Sequence, residues 1–296
     1  MSNEKKFIYK EEIMRNIAIV TDTDSSLPID LTMQYGIRQV PINLHIDGET
    51  YETGVDIDDD FLFEKLEKVK KYPTTSAPSP EAFAKAFRAS ISEGAQSIIC
   101  ICVSCKVSAS FDSAVLASQM FKHNIVVVDS QNLSMGQGFM VLTTAESVLN
   151  GATREEVLEH LENIGKRIHT FALLPSLKYI ALSGRLNKFS ANLADTLDIK
   201  PILTVQDGKL EIVSRQRTSK KAIDKMIELI QLSCNGKTIK RVSIIHANNP
   251  EGAKNLQEKV NSIAPDANPY IIAEFTPGLS IHTGPGTIGL SILTDG

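Results

Sequence analysis

The sequence predicts an α/β protein of two α/β domains, the N-terminal one with a mainly parallel sheet flanked by helices and the C-terminal one with a mixed sheet. Three observations predict it. Short β-branched runs alternate repeatedly with amphipathic helical stretches, the signature of α/β units around a largely parallel sheet. The 296 residues fit two domains, at roughly 100 to 200 residues per domain. The composition is that of a soluble globular chain, 42% hydrophobic and 22% charged, with 31 Lys and Arg against 35 Asp and Glu for a net charge of -4. That composition excludes disordered, collagenous and coiled-coil classes.

After an N-terminal extension over residues 1–15, Asn16 to Thr21 reads as the first strand and Pro28 as the first residue of the following helix. Ser97 to Val103 and Ile125 to Asp129 are further strands. Helices fill the stretches after Pro80, Val107 and Ser134, with Gly94 at a helix stop. Thr153-Arg-Glu-Glu is a capping-box pattern opening a helix toward Ile168, and the domain boundary is placed there, between 16–165 and 166–296. Beyond it come a strand at His169 to Leu174, a helix ending near Gly184, and a hairpin over Ile199 to Ser214 turned by Asp207-Gly208. Strands at Arg241 to His246 and Tyr270 to Thr276 complete the reading.

A mildly acidic chain without a basic block has no electrostatic footprint for non-specific binding to nucleic acid or anionic lipid. No run approaches the roughly 18 apolar residues of a membrane helix, and the first residues mix both charge signs without the apolar core of a secretory signal. Cys100, Cys102, Cys105 and Cys234 are too few and too unevenly spaced for a disulfide framework. Together these predict a reduced, cytoplasmic setting. Cys100 and Cys102 alternate within SIICICV, on one face of a strand, as small core hydrophobes.

Several stretches carry polar chemistry. In Ile17-Ala-Ile-Val-Thr-Asp-Thr-Asp-Ser-Ser26 a strand delivers Asp22 and Asp24 at its carboxyl end, where open α/β sheets place ligands. Such a pair could hold Mg²⁺ in a phosphatase of the haloacid-dehalogenase type. The simpler expectation is that Asp22 and Asp24 cap the helix starting at Pro28 and satisfy loop N–H groups. The loop Tyr72-Pro-Thr-Thr-Ser-Ala-Pro-Ser-Pro80 is stiffened by prolines, and its Thr74, Thr75 and Ser76 offer neutral donors to an oxyanion, with Ser79 as an N-cap. Ser104-Cys-Lys-Val-Ser-Ala-Ser110 is a second hydroxyl-rich loop entering a helix, so the two can converge on one anionic head group. No Gly-x-Ser-x-Gly elbow occurs to support a nucleophilic serine.

Pro277-Gly-Leu-Ser-Ile-His-Thr-Gly-Pro-Gly286 sets His282 among glycines that admit a ligand or another backbone. The other histidines share no metal-ligand spacing, and no metal is assigned. Arg185, Arg215, Arg217, Lys220 and Lys221 form the main basic concentration, suited to an acidic protein or a phosphorylated head group.

In this order these stretches resemble the DegV family of lipid-binding proteins, whose members include the fatty-acid-binding subunits of bacterial fatty acid kinase. The likeness runs from about Asn16 to the end, through IVTDTDSSLP, YPTTSAPSP, VSCKVSASFDSA, VVDSQNLSMGQG, IKPILTVQDGKLEIVSRQRTSKKAI, HANNPEGA and IHTGPGTIGL. The resemblance implies a long-chain fatty acid buried in a tunnel at the domain junction, its carboxylate held by Thr75, Ser108 and His282, with Thr74, Ser104 and Gly284 nearby. It further implies that Arg185 and Arg217 meet a separate kinase, which phosphorylates the bound carboxylate with ATP while the acyl phosphate stays in the binding subunit. That subunit would carry no cofactor and no catalytic residue, and touch membranes only transiently. Ala109, Lys106, Asp24 in place of a hydroxyl, and Ala77 where Gln is common depart from the family pattern. A positive φ at Ala109 would cost roughly 1 kcal/mol, and Lys106 brings a charge toward the head group.

Overall fold

A computed structural model describes residues 16–69, 71–185 and 199–296; the expected extension over 1–15 lies outside them. The first half contains β1 (Ile17–Asp22), β2 (Arg38–Val40), β3 (Asn43–Ile46), β4 (Glu49–Glu52), β5 (Thr74–Ser76), β6 (Ser97–Cys102) and β7 (Asn124–Asp129). Four form a parallel sheet in the order β2-β1-β6-β7, and three a small antiparallel sheet, β4-β3-β5. The helices here are α1 (Ile29–Tyr35), α2 (Asp59–Leu66), α3 (Pro80–Ser92) and α4 (Ser110–Ser118). β6 is buried along its whole length, as a central parallel strand must be, and the sulfurs of Cys100 and Cys102 lie 3.7 Å apart within it. Ser79 caps α3 by accepting from the Ala82 N–H, with Pro80 in the first turn. Pro28 is extended, with ψ 143°, and precedes α1 instead of opening it.

The small sheet was not read from the sequence, which treated 72–80 as loop. Its signal lies at Asp47-Gly48, where φ values of 47° and 91° meet the demand of a two-residue hairpin.

α5 (Ser134–Leu149) and α6 (Arg154–Gly165) join the halves, and Thr153 and Glu156 form the expected capping box. α5 touches β1 and β6 on the first sheet and the second sheet as well. Its Met135, Phe139 and Leu142 share one core cluster with Ile99, Ile101, Ile245 and Leu293. A helix covered from both sides reads as apolar nearly all round.

The second half contains β8 (Ile168–Leu173), β9 (Lys200–Gln206), β10 (Lys209–Gln216), β11 (Ile239–His246), β12 (Tyr270–Glu274) and β13 (Ile288–Thr294). They form one mixed sheet, β10-β9-β8-β13-β11-β12, in which β11 and β12 run parallel and the other pairs antiparallel. Asp207-Gly208 turns the hairpin as expected, with φ 48° and 76°. The helices are α7 (Lys178–Ser183), α8 (Ser219–Cys234), α9 (Pro250–Asn261) and α10 (Pro277–Thr283). The last of these lies in the segment Pro277 to Gly286, to which the sequence reading assigned no helix. The two halves are also joined by polar contacts: Thr170 Oγ1 donates to Asn132 Oδ1 at 3.0 Å, and Ser104 Oγ to the Gly208 carbonyl at 2.7 Å.

Candidate functional site

A cavity of about 530 Å³ is lined from both halves of the chain, within the roughly 300–1,000 Å³ of small-molecule sites. Phe171, Leu203, Leu210, Ile245, Phe275 and Leu290 make its walls largely apolar. Thr75, Ser108, Arg185 and His282 supply polar groups to the same lining.

Three ties bring His282 to Thr75. Ile281 of α10 packs with Leu44, Ile46 and Leu62 of the first half. Ser280 Oγ donates to Asp59 Oδ2 at 2.6 Å, and the Tyr72 hydroxyl donates to the Ile281 carbonyl. With α10 held there, His282 Nε2 lies 2.9 Å from Thr75 Oγ1 on β5, and Arg185 Nη2 donates to the same oxygen at 3.0 Å. Burial, then the neighbouring Arg185, push the His282 imidazole down to about 3, so it is neutral near pH 7. Its Nδ1 is buried without a partner. A neutral imidazole and a hydroxyl bring two protons to this pair, and the contact between them uses one. In either tautomer one donor therefore remains, the Nδ1–H or the Thr75 O–H.

Ser108 lies in the second hydroxyl-rich loop, its Oγ 3.0 Å from Ser110 Oγ and accepting from the Ser110 N–H at 3.3 Å. Ala109 has φ -85°, so the alanine carries no backbone strain there. Lys106 contributes to the lining while remaining exposed, and Ala77 lines the cavity beside Thr75.

The three residues expected nearby adjoin lining residues in the chain but do not themselves line the cavity. Thr74 is exposed on β5. Ser104 is buried and engaged with Gly208 across the halves. Gly284 ends α10 with φ 84° and ψ 163°, and a Cβ there would stand 2.1 Å from the Tyr179 ring. Of the arginines expected at a docking face, Arg217 is exposed, whereas Arg185 is half-buried and lines the cavity. Its place on Thr75 was not legible in a sequence that separates the two by 110 residues.

Asp22 is a staple. Its Oδ1 accepts from the Asp24 N–H at 3.2 Å and from Gln137 Nε2 at 3.1 Å, and its Oδ2 from the Val103 N–H at 2.9 Å. Those bonds satisfy loop N–H groups and cap the turn at Thr23–Ser25, not α1. Burial lifts the Asp22 carboxyl to about 6, and its oxygens are already engaged where the phosphatase reading would place Mg²⁺. Among the described residues no group of three or more His, Cys, Asp or Glu is placed to hold a metal ion.

A family model described as an uncharacterised protein of the DegV family matches residues 16–295. The chain belongs to the DegV family. A DegV domain-containing protein of Caldanaerobacter subterraneus is 33% identical over 278 residues, 94% of this chain and 98% of the relative. Among solved structures, a fatty-acid-binding DegV family protein from Thermus thermophilus superposes with a TM-score of 0.89 at 31% identity, covering 95% of this chain and 100% of the other. The DegV fatty acid binding protein of Bacillus subtilis gives 0.85 at 27% identity over 95% and 99% of the two chains. These DegV neighbours share the arrangement of two α/β domains described above. Among the described residues of this DegV chain no helix is long and apolar enough to cross a membrane.

Proposed function

We propose that this DegV chain binds one long-chain fatty acid in the cavity, its carboxylate toward Thr75, Ser108 and His282 and its tail along the apolar walls. The observation that carries the reading is a largely apolar cavity with an imidazole and a guanidinium both within hydrogen-bond reach of one hydroxyl, that of Thr75. Burying an acyl chain yields about 0.8 kcal/mol per methylene, so roughly sixteen carbons gain on the order of 10 kcal/mol before ordering costs. A dry carboxylate costs several kcal/mol unless its oxygens are hydrogen-bonded, which the spare donor of the Thr75–His282 pair, Ser108 and Arg185 provide. The fatty-acid-binding relative at 31% identity supports the same ligand.

Native mass spectrometry of the protein as purified, followed by extraction, tests this. One added mass per chain matching a fatty acid is the expected result; a bare protein that also refuses fatty acid offered in excess would sink the reading.

In this reading the chain is a cytoplasmic binding subunit with no catalytic residue of its own. It presents the carboxylate to a separate ATP-dependent fatty acid kinase and retains the acyl phosphate. The exposed Arg217 is the docking contact, and Arg185, facing the lumen, meets the carboxylate and then the phosphate, an anion its guanidinium matches bidentately. Reversing the charge with Arg217→Glu is expected to slow acyl-phosphate formation in a reconstituted kinase assay by about tenfold. An unchanged rate at subsaturating kinase would remove Arg217 from the docking face.

A further inference from the structure

Asp24 sits in the turn after β1 with 7% of its surface exposed, and it lines the cavity beside Thr75, Arg185 and His282. Its Oδ1 is buried without a hydrogen-bond partner. That oxygen lies 3.1 Å from where a Cβ on Gly278 would stand, so it faces α10, the helix that carries His282. A fatty-acid carboxylate at this end of the cavity is a second acid beside the first. Two carboxyl groups sharing one dry site do not both ionise without a large penalty.

The charges around Asp24 do not remove that penalty. Asp22, at the end of β1, repels a negative Asp24, and Arg185, beyond α7, attracts it. Arg185 is one guanidinium facing two acids, and His282 on α10 is neutral. Lys106 and Cys105 line the cavity from the second hydroxyl-rich loop, and Asp112 from α4.

We propose that Asp24 joins the head-group site as a protonated acid that donates its O–H to the bound carboxylate, so that the cavity takes up the anion together with one proton. The inference rests on the fatty-acid reading and adds what sets the affinity. Burial first, and then Asp22, already hold the Asp24 carboxyl well above the usual carboxylate range, with Arg185 acting in the opposite direction. A bound anion raises it further. Below the value in the free protein the proton is already in place, and Asp24 imposes no pH dependence. Above it each binding event draws a proton from solvent, and affinity falls with rising pH by up to about tenfold per pH unit.

The test is palmitate affinity from about pH 6 to 10 for the wild type and Asp24→Asn, read as a ratio so that the ligand's own ionisation cancels. The wild-type affinity relative to the variant is expected to stay level until Asp24 ionises in the free protein, a point located by difference titration of the free wild type and Asp24→Asn, and to fall above it by up to about tenfold per pH unit. A ratio that stays constant through that ionisation, with binding intact in both proteins, would overturn the role of Asp24 and leave the fatty-acid reading standing. Failure of both to bind at every pH would overturn both. Should Asp24→Asn not fold, calorimetry of the wild type in two buffers of different ionisation enthalpy counts the proton directly. Uptake approaching one proton per palmitate is expected above the pH at which the free protein's Asp24 ionises, and zero uptake there would refute the proposal.

Discussion

Replacing His282 by alanine is expected to weaken long-chain fatty-acid binding by about 5- to 150-fold, the equivalent of about 1–3 kcal/mol for one buried hydrogen bond to a charged group. The imidazole holds Thr75 Oγ1 at 2.9 Å, and together they retain the donor that a carboxylate needs. Removing the ring leaves Thr75 with Arg185 alone and opens a void at the head group. Ser108→Ala is expected to act in the same direction, since its hydroxyl lines the same cavity. Calorimetric titration of the delipidated proteins checks both, and equal affinity in both variants and the wild type would refute the head-group assignment.

The pH dependence carries a second signature. His282, pushed down to about 3 from an ordinary 6.5, binds fewer protons folded than unfolded. Its contribution to stability is therefore present above pH 6.5 and is lost as pH falls through about 3. The ratio of wild-type to His282→Ala affinity should thus show no step near the ordinary histidine value.

Gly284→Ala is expected to cost about 3 kcal/mol of stability and most of the lipid affinity with it. At φ 84° and ψ 163° the residue occupies backbone space that side chains rarely enter, at about 1–3 kcal/mol. The added methyl would also meet the Tyr179 ring at 2.1 Å, a second cost of about 1–3 kcal/mol. Relief requires moving Tyr179 or the end of α10, and α10 carries His282. Gly48→Ala separates the two costs, because its φ of 91° is also positive but nothing lies within 4 Å of its Cβ. Thermal unfolding should drop by several degrees more for Gly284→Ala than for Gly48→Ala. Equal melting temperatures would show that Tyr179 gives way freely.

Local chemistry was legible wherever it is decided within a few residues. The capping box at Thr153 and Glu156, the Ser79 cap, the Asp207-Gly208 turn and the buried strand through Cys100 and Cys102 all stand where their sequences place them. β13, buried between β8 and β11, was missed because Gly289 and Ser291, weak strand formers, interrupt the apolar positions Ile288, Leu290 and Ile292 just after the Gly-Pro-Gly segment. α10 was missed because its Gly-containing sequence reads as loop, while its helix is held by Asp59, Tyr72 and the cluster around Ile281. Those partners are more than 200 positions away in the chain.

The same division runs through the site. By itself the sequence determined the α/β class, the two hydroxyl-rich loops and the residue types suited to an anionic head group, since these follow from periodicity, caps and donor chemistry. Only the tertiary structure decided which of them meet: that Thr75 and His282 share a hydrogen bond, that Arg185 turns inward onto Thr75, that Thr74 and Ser104 do not line the lumen, and that Asp24 does. The physical reason is that burial and pairing are properties of three-dimensional neighbours. A carboxylate's charge and a histidine's proton are set by the dielectric and the partners around them, and those come from opposite ends of the chain.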